Sequence, residues 1–136
     1  MSHKVTTQWK GNMNFEADNP GGKSLVMDDG SSGEASSPKA MMLASLAACS
    51  GLDVVSVLEK MKIEIDDFKM ETTGELTEEH PKYYHSVSVE YHFYGSELNE
   101  SKIKRAVDLS IEKYCGVMEM FRKFAKVTTS IHYHNS

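Results

Sequence analysis

Cys49 and Cys115 are the two thiols of the chain, and each stands where a redox couple could be assembled. Cys49 lies in a run of small and apolar residues, Ala44-Ser45-Leu46-Ala47-Ala48-Cys49-Ser50-Gly51-Leu52. Cys115 closes an amphipathic segment and precedes Gly116-Val117-Met118. If folding brings them together, one thiolate can be oxidised to a sulfenic acid and the other can condense with it to a disulfide. The reactive species is the thiolate, so local charge matters. Cys49 sits about three turns into its helix, too deep for the N-terminal dipole to help it. Its neighbours at helical spacing are Ser45, Leu46, Leu52 and Asp53, and the Asp53 carboxylate would raise its pKa if turned towards the sulfur. Cys115 would sit at the N-terminus of a short helix, so on local physics it is the more acidic thiol. The competing reading is that each is a small buried hydrophobe. For one isolated cysteine that reading would prevail; two in one chain bring the redox reading level with it.

The elements that must position these residues are legible from pattern. Ser37 is a good N-cap and Pro38 a good first helical residue, so a helix is expected from there to about Met61. It is apolar nearly all round from Ala40 to Leu58, with Asp53 its sole charge, which predicts burial on most faces. A domain this small would need a second copy to supply much of that burial. Ala44, Ala47, Ala48 and Gly51 would let another backbone approach closely, so a homodimer is expected.

Before the helix, Val5 to Trp9, Met13 to Ala17 and Ser24 to Met27 read as an antiparallel meander, with a turn at Asn19-Pro20-Gly21-Gly22. Asp28 to Ser37 reads as a loop running into the cysteine helix. After it, Ile63 to Leu76 reads as a strand whose alternation slips between Ile65 and Phe68, as a bulge would cause. Tyr83 to Tyr94 is the clearest strand: Val87, Val89, Tyr91 and Phe93 face one side, and Ser86, Ser88, Glu90 and His92 the other. These two strands make a long hairpin. Asn99 caps a second helix to about Tyr114, Gly116 interrupts, a short helix reaches about Phe124, and Val127 to His134 is a last strand. The class is α+β, with antiparallel sheets packed around a long buried central helix, and residues 1–136 form a single domain.

Composition narrows the partners. The net charge of -5 argues against nucleic acid and an anionic membrane surface. No apolar run follows Met1-Ser2-His3-Lys4, so no signal peptide is expected. The uncharged run from Ala40 to Leu52 has 13 residues, short of the roughly 18 that suggest a membrane span. Two cysteines are too few for a disulfide scaffold, and a cytoplasmic location with a transient, catalytic disulfide fits.

Other constellations carry less. His132 and His134 share one face of the last strand and could meet His92 or His85 from the hairpin, but a polar solvent-facing strand is the plainer reading. No metal and no cofactor are expected. Met41-Met42 and Met118-x-Met120 could line an apolar pocket, although core filling explains each one. There is no phosphate-binding glycine loop and no nucleophile elbow.

The segment Ser37-Pro38 through Leu43-Ala44-x-x-Ala47-Ala48-Cys49, the long spacing to the second cysteine, and Cys115-x-Val117 together resemble the OsmC/Ohr family of thiol-dependent hydroperoxide reductases. The element order is similar along almost the whole chain. The resemblance implies the OsmC-like fold and an intertwined homodimer with active sites at the subunit interface. It implies Cys49 as the peroxidatic thiol and Cys115 as the resolving thiol, a small organic hydroperoxide as substrate and a dithiol reductant. This reverses the local-acidity ranking and requires a cation at Cys49. Peroxidases of that family supply an arginine from the N-terminal loops and a glutamate near the start of the cysteine helix. Here no arginine precedes Arg105, and Lys39 occupies the position where the glutamate is expected. Lys23 or Lys39 is the candidate cation and Glu34 the candidate carboxylate, with Asp53 beside the thiol. Lysine lacks the planar fork of arginine, so the exchange is not conservative. The chain therefore resembles a divergent OsmC-like branch. The alternative to a peroxidase is a non-peroxidatic OsmC-like protein that senses redox state or binds a small ligand.

Overall fold

The computed structural model describes residues 1–19 and 22–136, in two compact units, 1–42 and 43–136. The turn expected at Asn19–Gly22 falls on Pro20 and Gly21, outside the described residues.

In the N-terminal unit, β1 (Thr7–Trp9), β2 (Phe15–Asn19) and β3 (Gly22–Met27) form the expected antiparallel meander in the order β1-β2-β3. Thr7 pairs with Ala17, and Phe15 pairs with Trp9 on one side and Met27 on the other. The loop after β3 is ordered by its own side chains. Asp28 is buried, and its carboxylate accepts the Gly30 N–H at 2.6 Å and the Ser32 hydroxyl. Met27 bridges to Ser36. The next residue, Ser37, accepts the Ala40 N–H on its Oγ at 3.3 Å, which starts helix α1 (Pro38–Lys60) where the sequence places it.

The C-terminal unit holds most of α1, then β4 (Asp67–Leu76), β5 (Tyr84–Gly95), α2 (Glu100–Leu109), a π-helical turn (Ser110–Tyr114), α3 (Gly116–Arg122) and β6 (Lys126–Asn135). Strand β5 is central, between β4 and β6. Its alternation divides the faces as expected: Val87, Val89, Tyr91 and Phe93 are fully buried. They pack with Leu46, Val54 and Leu58 of α1, with Ile103, Ala106 and Val107 of α2, and with Cys115, Met118 and Phe121. Gly51 marks the close approach of α1 to β4, because a Cβ there would stand 3.1 Å from the Met70 sulfur.

Three expectations need correction. The β5–β6 pair is parallel, with Val87 opposite Val127 and His92 opposite His132, so this sheet is mixed. The helical crossover between the two strands returns the chain to the same end of the sheet, as a parallel pair requires. Strand β4 begins at Asp67, so Ile63 and Ile65 precede it, and the irregularity lies between Glu75 and Leu76. The α-helical part of the second helix ends at Leu109 and continues as the π turn. Within one chain α1 is covered on one side, at Leu46, Ser50, Gly51, Val54 and Leu58, while Met42, Leu52 and Val55 are exposed, Leu52 at 73%, which leaves open the burial expected from a second copy.

At 23 residues α1 is long and apolar enough to cross a membrane, which the 13-residue uncharged run did not suggest. Its Ser50 and Asp53 are nevertheless hydrogen-bonded within the folded unit, as buried polar groups of a core helix must be.

Candidate functional site

Cys49 on α1 and Cys115 before α3 are free thiols of the C-terminal unit, and Cys49 is near enough to Cys115 to influence its ionisation. Cys49 is half-buried and packs against the core to which Cys115 belongs. The π turn sets the second position. Its closing bond runs from the Cys115 N–H to the Ser110 carbonyl at 2.9 Å, and the extra residue this turn accommodates breaks the register of a continuous α-helix. Cys115 then leaves helical geometry and caps α3, its sulfur accepting the Met118 N–H at 3.3 Å.

Capping does not make Cys115 acidic. Burial pushes its thiol up to about 11, and the nearby Cys49 thiol and Asp53 carboxylate add to that push, against the Met118 hydrogen bond. The expectation that the helix start would lower the Cys115 thiol fails because desolvation outweighs the donor there. At neutral pH Cys115 carries its proton.

Beside the thiols runs a buried hydroxyl chain. Ser50 Oγ lies 2.6 Å from the Tyr91 hydroxyl and 2.7 Å from Ser110 Oγ, and Ser110 donates to Asp53 Oδ2 at 3.1 Å. Donation from Tyr91 to Ser50, from Ser50 to Ser110 and from Ser110 to the carboxylate uses each proton once and leaves none of the three hydroxyls unpartnered. Burial raises Tyr91 to about 12, against the hydrogen bond to Ser50. The charge of Arg122 also opposes that rise; its guanidinium donates to the Ile111 carbonyl of the π turn and lies 3.9 Å from Glu119.

Of the residues singled out in the sequence, Cys49, Cys115 and Asp53 are thus brought together. Lys23, Glu34 and Lys39 belong to the N-terminal unit and are exposed there. Asp53 also lines a cavity of about 540 Å³ with Val57, Met61, Leu109 and Tyr114. Among the methionines considered for a pocket, Met118 is fully buried core, whereas Met42 and Met120 are exposed. Ser50, Tyr91, Ser110 and Arg122 were missed. The usable signal was a pair of serines on faces otherwise apolar, since a buried hydroxyl needs a partner and Tyr91 on the inward face of β5 could supply one.

The family model for OsmC-like proteins matches residues 30–130. The chain belongs to the OsmC-like family. Protein YhfA of Escherichia coli K12 is 34% identical over 127 residues, which span 93% of this chain and 95% of that one. The crystal structure of a hypothetical protein from Aquifex aeolicus VF5 has a TM-score of 0.89 at 26% identity, covering 100% of this chain and 98% of that one. The organic hydroperoxide resistance protein OhrB of Bacillus subtilis shares the OsmC-like fold, with a TM-score of 0.66 at 19% identity over 96% and 98% of the two chains.

Proposed function

We propose that the chain reduces organic hydroperoxides through Cys49 and Cys115. The observation that carries this reading is that the two free thiols lie near one another in the same core of the C-terminal unit. Membership of the OsmC-like family and the likeness to an organic hydroperoxide resistance protein support the substrate class. Cys49 is the attacking residue, because Cys115 holds its proton to about 11. The Cys49 thiolate attacks the distal oxygen of the peroxide: a sulfur–oxygen bond forms, the oxygen–oxygen bond breaks, and the alkoxide takes up a proton to leave as alcohol. The Cys115 sulfur then displaces the sulfenic oxygen. Its proton leaves with that oxygen as water, and the two sulfurs are joined. A dithiol returns both thiols by exchange through a mixed disulfide. Two free thiols of this kind suit a reducing compartment such as the cytoplasm.

The assembly that fits this reading is a homodimer. Ala44, Ala48, Leu52 and Val55 form an exposed apolar stripe on α1, beside a groove of about 560 Å³ that also includes Phe68 and Met70. A second copy laying the same stripe against it would remove this apolar surface from water.

The test is turnover of cumene hydroperoxide with dithiothreitol. Cys49→Ser abolishes it. Cys115→Ser permits one oxidation per chain and forms no intramolecular disulfide. Full turnover by Cys49→Ser would refute the assignment. The rates of Lys23→Met, Lys39→Met and Glu34→Gln against the parent either assign these residues a part in activating Cys49 or remove them.

One observation favours the second reading, a redox sensor or small-ligand binder: the carboxylate of Asp53 lies near Cys115 and disfavours its thiolate, the form that would resolve an oxidised Cys49. That reading expects a single slow oxidation. Rapid multiple turnovers would exclude it.

A further inference from the structure

The outward face of the C-terminal sheet carries a second cluster, independent of the thiols. Strand register puts His92 directly beside His132, and Glu90 between Glu71 and Ser130. His92 forms the floor, with its side chain only 12% exposed, and its Nε2 is buried without a hydrogen-bond partner among the described residues. That nitrogen lies 3.4 Å from Glu90 Oε1, and His132 Nε2 lies 3.6 Å from the same oxygen. The donor atoms of Glu90, His92 and His132 all fall within 4.8 Å of one another.

Three features of this cluster call for a cation. Glu71 and Glu90 are directly opposed across two strands, a repulsive placement, and Lys69 pairs with Glu71 at 3.3 Å. His92 Nδ1 lies 2.9 Å from His134 Nε2. With the proton of His92 on Nδ1 and donated to His134, the lone pair on Nε2 faces Glu90, and this outer partner fixes the ring as such partners do for metal-bound histidines. The rings of His92, His132, His134 and Tyr94 also stack, with centroids 4.5 to 5.2 Å apart, which limits how far any one can swing away.

We propose that Glu90, His92 and His132 bind a borderline divalent transition-metal ion, Zn2+ or a neighbour in the series. Two imidazoles and one carboxylate are a donor set for such ions. Metal–ligand bonds of about 2.1 Å place tetrahedral ligands about 3.4 Å apart, close to the two nitrogen–oxygen spacings found here. The stacked rings tip towards each other about χ2, a torsion with a broad profile, and the Ser130 hydroxyl, 3.0 Å from His132 Nε2, gives way to the ion. The fourth position faces solvent and takes water. His134 is a positioning residue that holds the His92 ring.

The test is equilibrium dialysis of the full chain against Zn2+, with Co2+ as a spectroscopic probe. It is run on the reduced parent and on the Cys49→Ser/Cys115→Ser variant, which removes the competing thiol ligands. The expected result is one saturable Zn2+ per chain in both proteins, and visible Co2+ ligand-field bands without sulfur-to-metal charge transfer. His132→Ala and Glu90→Gln, both at half-exposed positions, each weaken binding by at least about tenfold with an unchanged circular dichroism spectrum. His134→Ala weakens it by roughly 10- to 100-fold. Should His132→Ala unfold, Glu90→Gln alone decides the matter, since it keeps shape and removes only charge. No saturable binding to the double cysteine variant, or binding indifferent to Glu90→Gln, overturns the proposal.

Discussion

Strand β5 serves two opposite surfaces, and adjacent residues on it live under different rules. Tyr91 points inward, where its hydroxyl joins Ser50 and, through Ser110, the Asp53 carboxylate in a chain of buried hydrogen bonds beside the thiols. His92 points outward, where one ring nitrogen is held by His134 and the other faces Glu90 unpaired. The inward polar groups are satisfied from within the fold, so the thiol site needs nothing further to hold its shape. The outward cluster is left with a nitrogen that its protein neighbours do not satisfy and a proton or a cation can. Alternation along one strand is enough to separate the two environments.

The comparison can be broken most readily by truncation. Phe93→Ala empties a fully buried inward position and is expected to cost about 3–5 kcal/mol in urea unfolding, whereas His134→Ala on the outward face should stay within about 0.5 kcal/mol without metal. Equal effects would show that the outer face is also part of the core. Ser50→Ala should cost about 1–3 kcal/mol, because it leaves the Tyr91 hydroxyl buried without a partner. Adding Tyr91→Phe should return part of that loss, and a fully additive double variant would mean that the two hydroxyls are not coupled.

Alkaline titration sharpens the same contrast. Folded Cys115 keeps its proton to about 11, while the unfolded chain releases it near 9.0. Tyr91 behaves alike, with its folded value at about 12 against 10.0. In those intervals the folded state binds more protons, so stability is intact below about pH 9 and falls as pH rises through about 11 and beyond. Cys115→Ala should remove the lower part of that fall, and an unchanged curve would contradict its burial. The smallest effect is expected at the exposed Lys104–Asp108 pair, where Lys104→Ala should barely move the unfolding midpoint, and less still at high salt.

Much of this was legible in the sequence. Ser37-Pro38 fixed the start of α1, and the period-two pattern from Val87 to Phe93 separated the faces of β5. The pairing of β6 was not legible, because His132-Tyr133-His134 reads the same in either direction and only the crossover path decides. The π turn escaped for a related reason: Ile103, Val107, Ile111 and Tyr114 continue one helical stripe, and nothing in their types marks the extra residue at Ser110. The acidity of Cys115 was misjudged because helix capping is local and visible, while the burial that outweighs it comes from residues distant in sequence. Each histidine of the outer cluster is unremarkable in the chain, and only the parallel register of β6 selects His92 over His85 as the neighbour of His132.

The central claim, that Cys49 and Cys115 form one redox couple, is tested most directly by intact-protein mass. Reduced protein is treated with one equivalent of cumene hydroperoxide and sampled from milliseconds to minutes. Loss of about two mass units, abolished by either Cys49→Ser or Cys115→Ser, is the expected outcome, since a disulfide removes two hydrogens. An unchanged mass after minutes, with both thiols still open to alkylation once the protein is unfolded, would contradict it.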